Sequence, residues 1–212
     1  MNNASKTVRN NKYQFSTDEQ NIFFTSDTHF GHNSILKYCE RPWNNVYDMN
    51  QGLIENWNSV VGPDDIVFHL GDVVFGGSEL FNSIMQRLNG KKYLILGNHD
   101  YKNMRENYRK YFVDVKTKMV VSIDGQEIIL NHEPLLCFGG QNDCRFWQLF
   151  GHVHTQHSDR QGSDFERLKQ MCTPTMYDVG VDFNNYTPIN FKTLKERIAY
   201  QIENKTNYLC FL

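Results

Sequence analysis

Ile66-Val67-Phe68-His69-Leu70-Gly71-Asp72 and Lys92-Tyr93-Leu94-Ile95-Leu96-Gly97-Asn98-His99-Asp100 are built alike: an apolar run, a glycine, then polar side chains. Short apolar runs bounded by turn residues read as strands covered on both faces. Working outward, Ile22-Phe23-Phe24-Thr25-Ser26-Asp27 has the same form earlier in the chain, without the glycine. Phe146 to Phe150 followed by Gly151-His152-Val153-His154 repeats it later. Asn131-His132-Glu133-Pro134 closes a further strand, after a hairpin signal at Asp124-Gly125 between Val113–Ile123 and Glu127–Leu130.

Between the first runs the pattern turns helical. Asn33–Cys39 and Asp48–Val60 read as helices, the second with Leu53, Ile54, Trp57 and Val60 on one face. Ser78 reads as the cap of a helix over Glu79–Leu88, and a basic helix is expected over Tyr101–Tyr111. Strand–helix alternation of this kind is an α/β signature. Residues 155–175 are charged with little periodicity and read as a surface loop. Tyr177–Val181 reads as a late strand and Thr193–Ile202 as a helix. Tyr208–Leu212 reads as an apolar tail that docks as an edge strand.

The chain has 212 residues, 40% hydrophobic and 22% charged, which is ordinary for one globular domain. Residues 1–20 are polar and read as a loosely held leader, with residues 21–212 as a single domain. No run of about 18 apolar residues offers a membrane span, and no signal-peptide core precedes the first strand, so the expected location is cytoplasmic. Five cysteines without a CxxC pair argue against a disulfide framework or a zinc knot. A net charge of -2 argues against a dedicated, strongly basic nucleic-acid binder.

The polar clusters carry the chemistry. Asp27 and His29, Asp72, Asn98 and His99, His132, and His152 and His154 each follow a strand, where neighbouring loops of an α/β fold converge. Carboxylate, imidazole and carboxamide together suit manganese, zinc or iron better than a thiol-seeking or purely oxygen-seeking ion. If Asp-x-His and His-x-His are extended, both members of each pair face one side.

Asp27-Thr28-His29, Gly71-Asp72, Gly97-Asn98-His99-Asp100, His132 and Gly151-His152-Val153-His154 together resemble the calcineurin-like metallophosphoesterase superfamily. Thr25–His32, Arg41-Pro42-Trp43 and Val179-Gly180-Val181-Asp182 resemble its small single-domain bacterial and phage branch. The resemblance implies an α/β fold of two mixed β-sheets packed as a sandwich and flanked by helices. It implies two divalent ions, with Mn2+ expected first and Zn2+, Fe or Ni2+ as alternatives. Asp27, His29 and His154 would hold one ion; Asn98, His132 and His152 would hold the other; Asp72 would bridge both. Two such ions clamp a phosphate and activate a shared water. The resemblance makes His99 the general acid, a role suited to imidazole near neutral pH. Several branches carry an acidic residue or histidine three positions after the bridging aspartate to orient that acid. Here the position is Phe75, so Asp100 or another group would have to take over.

Three residues are candidates for substrate contact: His32, Arg41 and, besides its place among the metal donors, Asn98. His32 either touches phosphate, supports His29, or merely starts a helix. Arg41 either reaches over the site to a phosphate oxygen or a base, or belongs to a loop anchored by Trp43. His69 reads as a satisfied core histidine, and Asp178 and Asp182 as rim residues rather than ligands. The activity implied is hydrolysis of small nucleotide-type phosphodiesters. A nuclease or a phosphomonoesterase on the same site is the alternative, and a non-catalytic metal-binding scaffold lies further off.

Overall fold

A computed structural model of the chain describes residues 13–103, 108–141, 143–155 and 163–211. In chain order the elements are β1 (Gln14–Phe15), β2 (Ile22–Thr25), α1 (Ile35–Tyr38), α2 (Val46–Val60), β3 (Ile66–His69), α3 (Ser78–Met85), β4 (Lys91–Ile95) and α4 (Asp100–Asn103). The second half holds β5 (Asp114–Lys116), β6 (Lys118–Ile123), β7 (Gln126–Asn131), β8 (Phe146–Phe150), α5 (Ser163–Met171), β9 (Met176–Asp178), β10 (Ile189–Asn190) and α6 (Phe191–Asn204).

Among the described residues the strands form two five-stranded sheets, β10-β2-β3-β4-β5 and β1-β6-β7-β8-β9. Both are mixed. In the first, β2 to β5 run parallel and β10 is antiparallel to β2. In the second, the β6–β7 hairpin is antiparallel while β7, β8 and β9 run parallel. This is the mixed two-sheet α/β architecture expected from the sequence.

Alternation along each strand explains the layering. Ile22 and Phe24 of β2 face the second sheet, where they meet Ile128 and Leu130 of β7 and Leu149 of β8. Phe23 points the other way, against Leu53, Ile54 and Trp57 of α2 and Ile84 of α3. With both faces covered, β2 and β3 are buried at every position. That is why they read as unbroken apolar runs.

Several local expectations change. Gly77, not Ser78, occupies the cap position of α3, and Ser78 is its first helical residue. The Val113–Ile123 run is two strands in different sheets, β5 on β4 and β6 on β7, so the chain crosses between layers at Thr117. The basic helix is α4 and a 3-10 turn at Tyr108–Tyr111, with residues 104–107 outside the described residues. The charged stretch after Thr155 contains α5, whose Leu168 joins the inter-sheet core beside Cys172; residues 156–162 lie outside the described residues. One narrow apolar stripe suffices to seat a helix, and a periodicity read over twenty residues dilutes it. Tyr208–Phe211 is a 3-10 turn rather than an edge strand, with Tyr208 fully buried. Within the supposed leader, Gln14–Phe15 pair with Ser122–Ile123, and Phe15 packs edge-on against Phe68 and Tyr93.

Candidate metal centre

The parallel strands deliver their polar sequels to one place. β2 ends at Thr25, and backbone bonds then tie the next residues across: Asp27 N–H donates to Gly71 O at 3.0 Å and His29 N–H to Asp72 O at 3.0 Å. Val181 N–H donates to Ser26 O at 3.0 Å, which joins the ends of the two sheets. Gly151 N–H donates to His132 O at 2.9 Å. The loops are thereby pinned to one another, not only to their own strands.

The Asp-x-His and His-x-His pairs are not extended, as their spacing suggested. Asp27, His29, Asp72, His152 and His154 all sit at positive φ, between 46° and 72°. The left-handed region costs an L-residue of order 1 kcal/mol, and Asp, Asn and His tolerate it best. The convergence therefore comes from a run of left-handed turns. Close approach does the rest: a methyl group on Gly151 would overlap the Asp27 carboxylate, and one on Gly97 would overlap that of Asp72.

All seven residues that the sequence offered as candidate ligands lie close together. His29 Nε2 and His154 Nε2 lie 3.8 Å and 3.9 Å from Asp27 Oδ1. Asp72 Oδ2 lies 3.6 Å from His29 Nε2 and 3.6 Å from His132 Nε2. On the far side, Asn98 Oδ1 is 3.0 Å from both His132 Nε2 and His152 Nδ1. Asp27, His29 and His154 form one compact donor trio, and Asp27, Asp72 and His132 another. Asp27 Oδ1 and His29 Nε2 are fully buried and have no hydrogen-bond partner. A buried polar atom left unpaired is costly, and a cation between these two would satisfy both. The residues thus fit a divalent metal by geometry and by donor chemistry.

The electrostatics agree. Burial drives the His29 imidazole down to about 3, so its ring is neutral and its nitrogen available. Burial opposes ionisation of Asp27, yet His29 beside it and the neighbouring His132 and His154 hold its carboxyl well below the usual carboxylate range. Asp72 is raised, first by burial and then by the Asp27 carboxylate beside it. Crowded carboxylates of this kind ask for positive charge between them.

The other candidates divide. His32 Nδ1 lies 3.2 Å from His29 Nδ1, and its ring stacks on Phe75 at 4.2 Å, so it supports His29. Arg41 does not reach over the site. It is buried, and all five of its N–H groups are taken by Asp182, Asp27 O, Thr28 O and Met49 Sδ. A guanidinium saturated from inside has no donor left for substrate. Asn98 remains exposed beside His132 and His152. His69 is the satisfied core histidine: its Nε2 lies 3.0 Å from Thr28 Oγ1, and its Nδ1 accepts from Gly71 N–H at 3.2 Å.

His99 reaches the site by its backbone, whose N–H donates to Asp72 Oδ1 at 3.0 Å, and its side chain is 44% exposed. Asp100 does not orient it. The Asp100 carboxylate accepts from the N–H groups of Asp72, Val73 and Gly97, at 2.9, 3.0 and 2.8 Å. Against the His99 ring stands Phe75 itself, centroids 4.7 Å apart, with His29 and His32 stacked on the same phenyl ring. Sequence reading missed the structural parts of Asp100 and Phe75. The one available signal was that both sit beside a ligand cluster. Cys39, His154 and Asp182 form a third grouping. Asp182 is already spent on Arg41 and on His154 Nδ1, so this grouping reads as support for His154 rather than another ion site.

Comparison with known proteins gives a consistent picture. The chain is 33% identical over 183 residues to the uncharacterized protein MJ1445 of Methanocaldococcus jannaschii, covering 84% of this chain and 90% of that one. It is 33% identical over 130 residues to the gene 66 protein of Mycobacterium phage D29, covering 54% and 64%. Its fold matches the crystal structure of AQ665, a protein of unknown function from Aquifex aeolicus, at a TM-score of 0.63 and 24% identity, over 84% of this chain and 98% of that one. Residues 20–187, which contain every donor named above, match the family described as calcineurin-like phosphoesterase. With the donor clusters at its strand ends, this chain belongs to that family and is a metal-dependent phosphoesterase.

Proposed function

We propose that the protein hydrolyses phosphodiesters of small nucleotide-type molecules with two divalent ions. Asp27, His29 and His154 would hold one, Asn98, His132 and His152 the other, and Asp72 would serve both. The observation that carries this reading is the place of Asp72 Oδ2, at the same 3.6 Å from an imidazole of each set. The donor set is nitrogen and oxygen without thiolate, which suits Mn2+, Zn2+, Fe or Ni2+; Mn2+ is put first on the family resemblance. When bound, the ions would polarise the phosphoryl oxygens and lower the pKa of water at the site.

The chain's own residues supply the rest. His99, tied to Asp72 through its backbone and packed on Phe75, would hold a proton at its ring for the departing oxygen. Asn98 would offer its amide to a phosphate oxygen. A diester is favoured over a monoester because Arg41, the arginine beside the first clusters, is turned inward. Arg41 keeps no donor for the second charge of a dianionic monoester.

Bis-para-nitrophenyl phosphate with added manganese is the first assay, followed by cyclic nucleotides, dinucleotides and oligonucleotides. Turnover of the small diesters with little dependence on salt is expected; a steep salt dependence would point to a nuclease. His99→Ala should keep both ions and lose most turnover, of order 100-fold or more. Asp72→Ala should lose metal and activity together. Equal metal loss in both variants would remove His99 from the acid role.

A further inference from the structure

An imidazole that ligates a metal through one nitrogen is oriented by whatever bonds the other, since that partner fixes tautomer and ring angle. The two ion sets proposed above meet this need differently. His132 points Nδ1 at a backbone carbonyl, Leu70 O, at 2.6 Å. His154 points Nδ1 at a side chain, Asp182 Oδ2, at 2.6 Å. Asp182 is in turn gripped by Arg41, with Nε to Oδ1 at 2.8 Å and Nη2 to Oδ2 at 2.9 Å.

The guanidinium does not stop there. It donates to Thr28 O at 2.8 Å and to Asp27 O at 2.7 Å. Those carbonyls belong to the turn in which Asp27 and His29 adopt φ of 57° and 51°. One planar fork therefore holds a strained turn on one side and a carboxylate on the other, across 141 residues of sequence. Both side chains are buried, at 0% and 1% exposure. A buried ion pair is poor evidence for stability, because desolvation offsets the attraction. Its use here is geometric: guanidinium and carboxylate fit each other in a fixed plane, which a lysine would not reproduce.

We infer that Arg41 and Asp182 are positioning residues chiefly for one ion, pre-setting Asp27, His29 and His154 and reaching the Asn98, His132 and His152 set only through the Asp27 carboxylate, which accepts from His152 N–H at 2.8 Å. The inference rests on the two-ion reading given above. A merely structural pair would lower stability without distinguishing the ions.

The test titrates Mn2+ into the full chain and into Arg41→Lys, Asp182→Asn and the double variant Arg41→Gln with Asp182→Asn. Calorimetry reads stoichiometry and affinity, electron paramagnetic resonance reads the spin-coupled pair, and circular dichroism checks the fold. The double variant leaves no unpaired buried charge, so it keeps the test valid if a single variant misfolds. The unaltered protein is expected to bind two ions. The variants should keep one within about 3-fold and bind the other about 10–100-fold more weakly. Their coupled signal should vanish at limiting manganese and return in excess. Fewer than two ions in the unaltered protein would overturn the two-ion reading and the inference with it. Two ions there, with both sites weakened alike or neither weakened in the folded variants, would overturn the inference alone.

Discussion

Asp72, in the turn after β3, and Lys92, in the neighbouring parallel strand β4, show what burial does to a charge in two settings. Asp72 has imidazoles of His29 and His132 each 3.6 Å from its Oδ2. Lys92 meets carbonyls instead: its ammonium donates to Leu88 O at 2.7 Å and Gly90 O at 2.9 Å, tying down the turn before β4. Burial pushes it from 10.5 down to about 8. Between those two values the unfolded chain binds more protons than the folded one, so this residue makes stability rise with pH. Over the full window the gain is about 3 kcal/mol at most. Melting curves from pH 7.5 to 9.5 should show Lys92→Met with a flatter slope than the unaltered protein. Parallel slopes would mean that the two carbonyls keep the ammonium charged well above pH 8. Residue identity was also the most legible level in the sequence. Seven candidate donors that the fold brings together could be picked out because Asp, Asn and His after apolar runs carry a chemical meaning wherever the backbone goes. Arg41 could not be placed the same way, because an arginine serves a phosphate or a buried carboxylate equally well.

Elements position these side chains through their ends. β2, β3 and β8 are ordinary buried strands; what distinguishes them is that left-handed turns follow at once. The extended spacing read from Asp-x-His was wrong in conformation, though both members do face one site. A dipeptide offset says which side chains can share a side, not by which φ and ψ. Glycine has its place here for room rather than freedom. Gly151→Ala would push a methyl into the Asp27 carboxylate, so it should weaken manganese binding by about 10-fold or more while the protein stays folded. Calorimetry beside circular dichroism checks this; unchanged metal affinity would show that the turn can yield. α5 was hidden by its charge, because periodicity is faint where only a narrow stripe meets the core.

Across the whole molecule the candidate metal centre stands at the junction of two sheets. Its donors follow β2, β3 and β4 on one side and β7 and β8 on the other. Ions bound there would tie the layers together, so the folded state should be stabilised by mass action. At a free concentration 100 times the dissociation constant the gain is about 2.7 kcal/mol for one site. Thermal melts should therefore shift upward with manganese and return with a chelator, and Asp72→Ala should lose the shift. No shift in the unaltered protein would argue against metal held between the sheets. The division between sequence and structure follows from what each can encode. Composition, the apolar runs and the residues after them determined the α/β class, the family resemblance and the candidate donors, because these are local chemical facts. Tertiary structure alone decided the crossing of the chain between sheets at Thr117, the inward turn of Arg41 onto Asp182, and the standing of Phe75 beside His99. Each depends on contacts between segments far apart in the chain, and the energy of such a contact belongs to the pair rather than to either sequence.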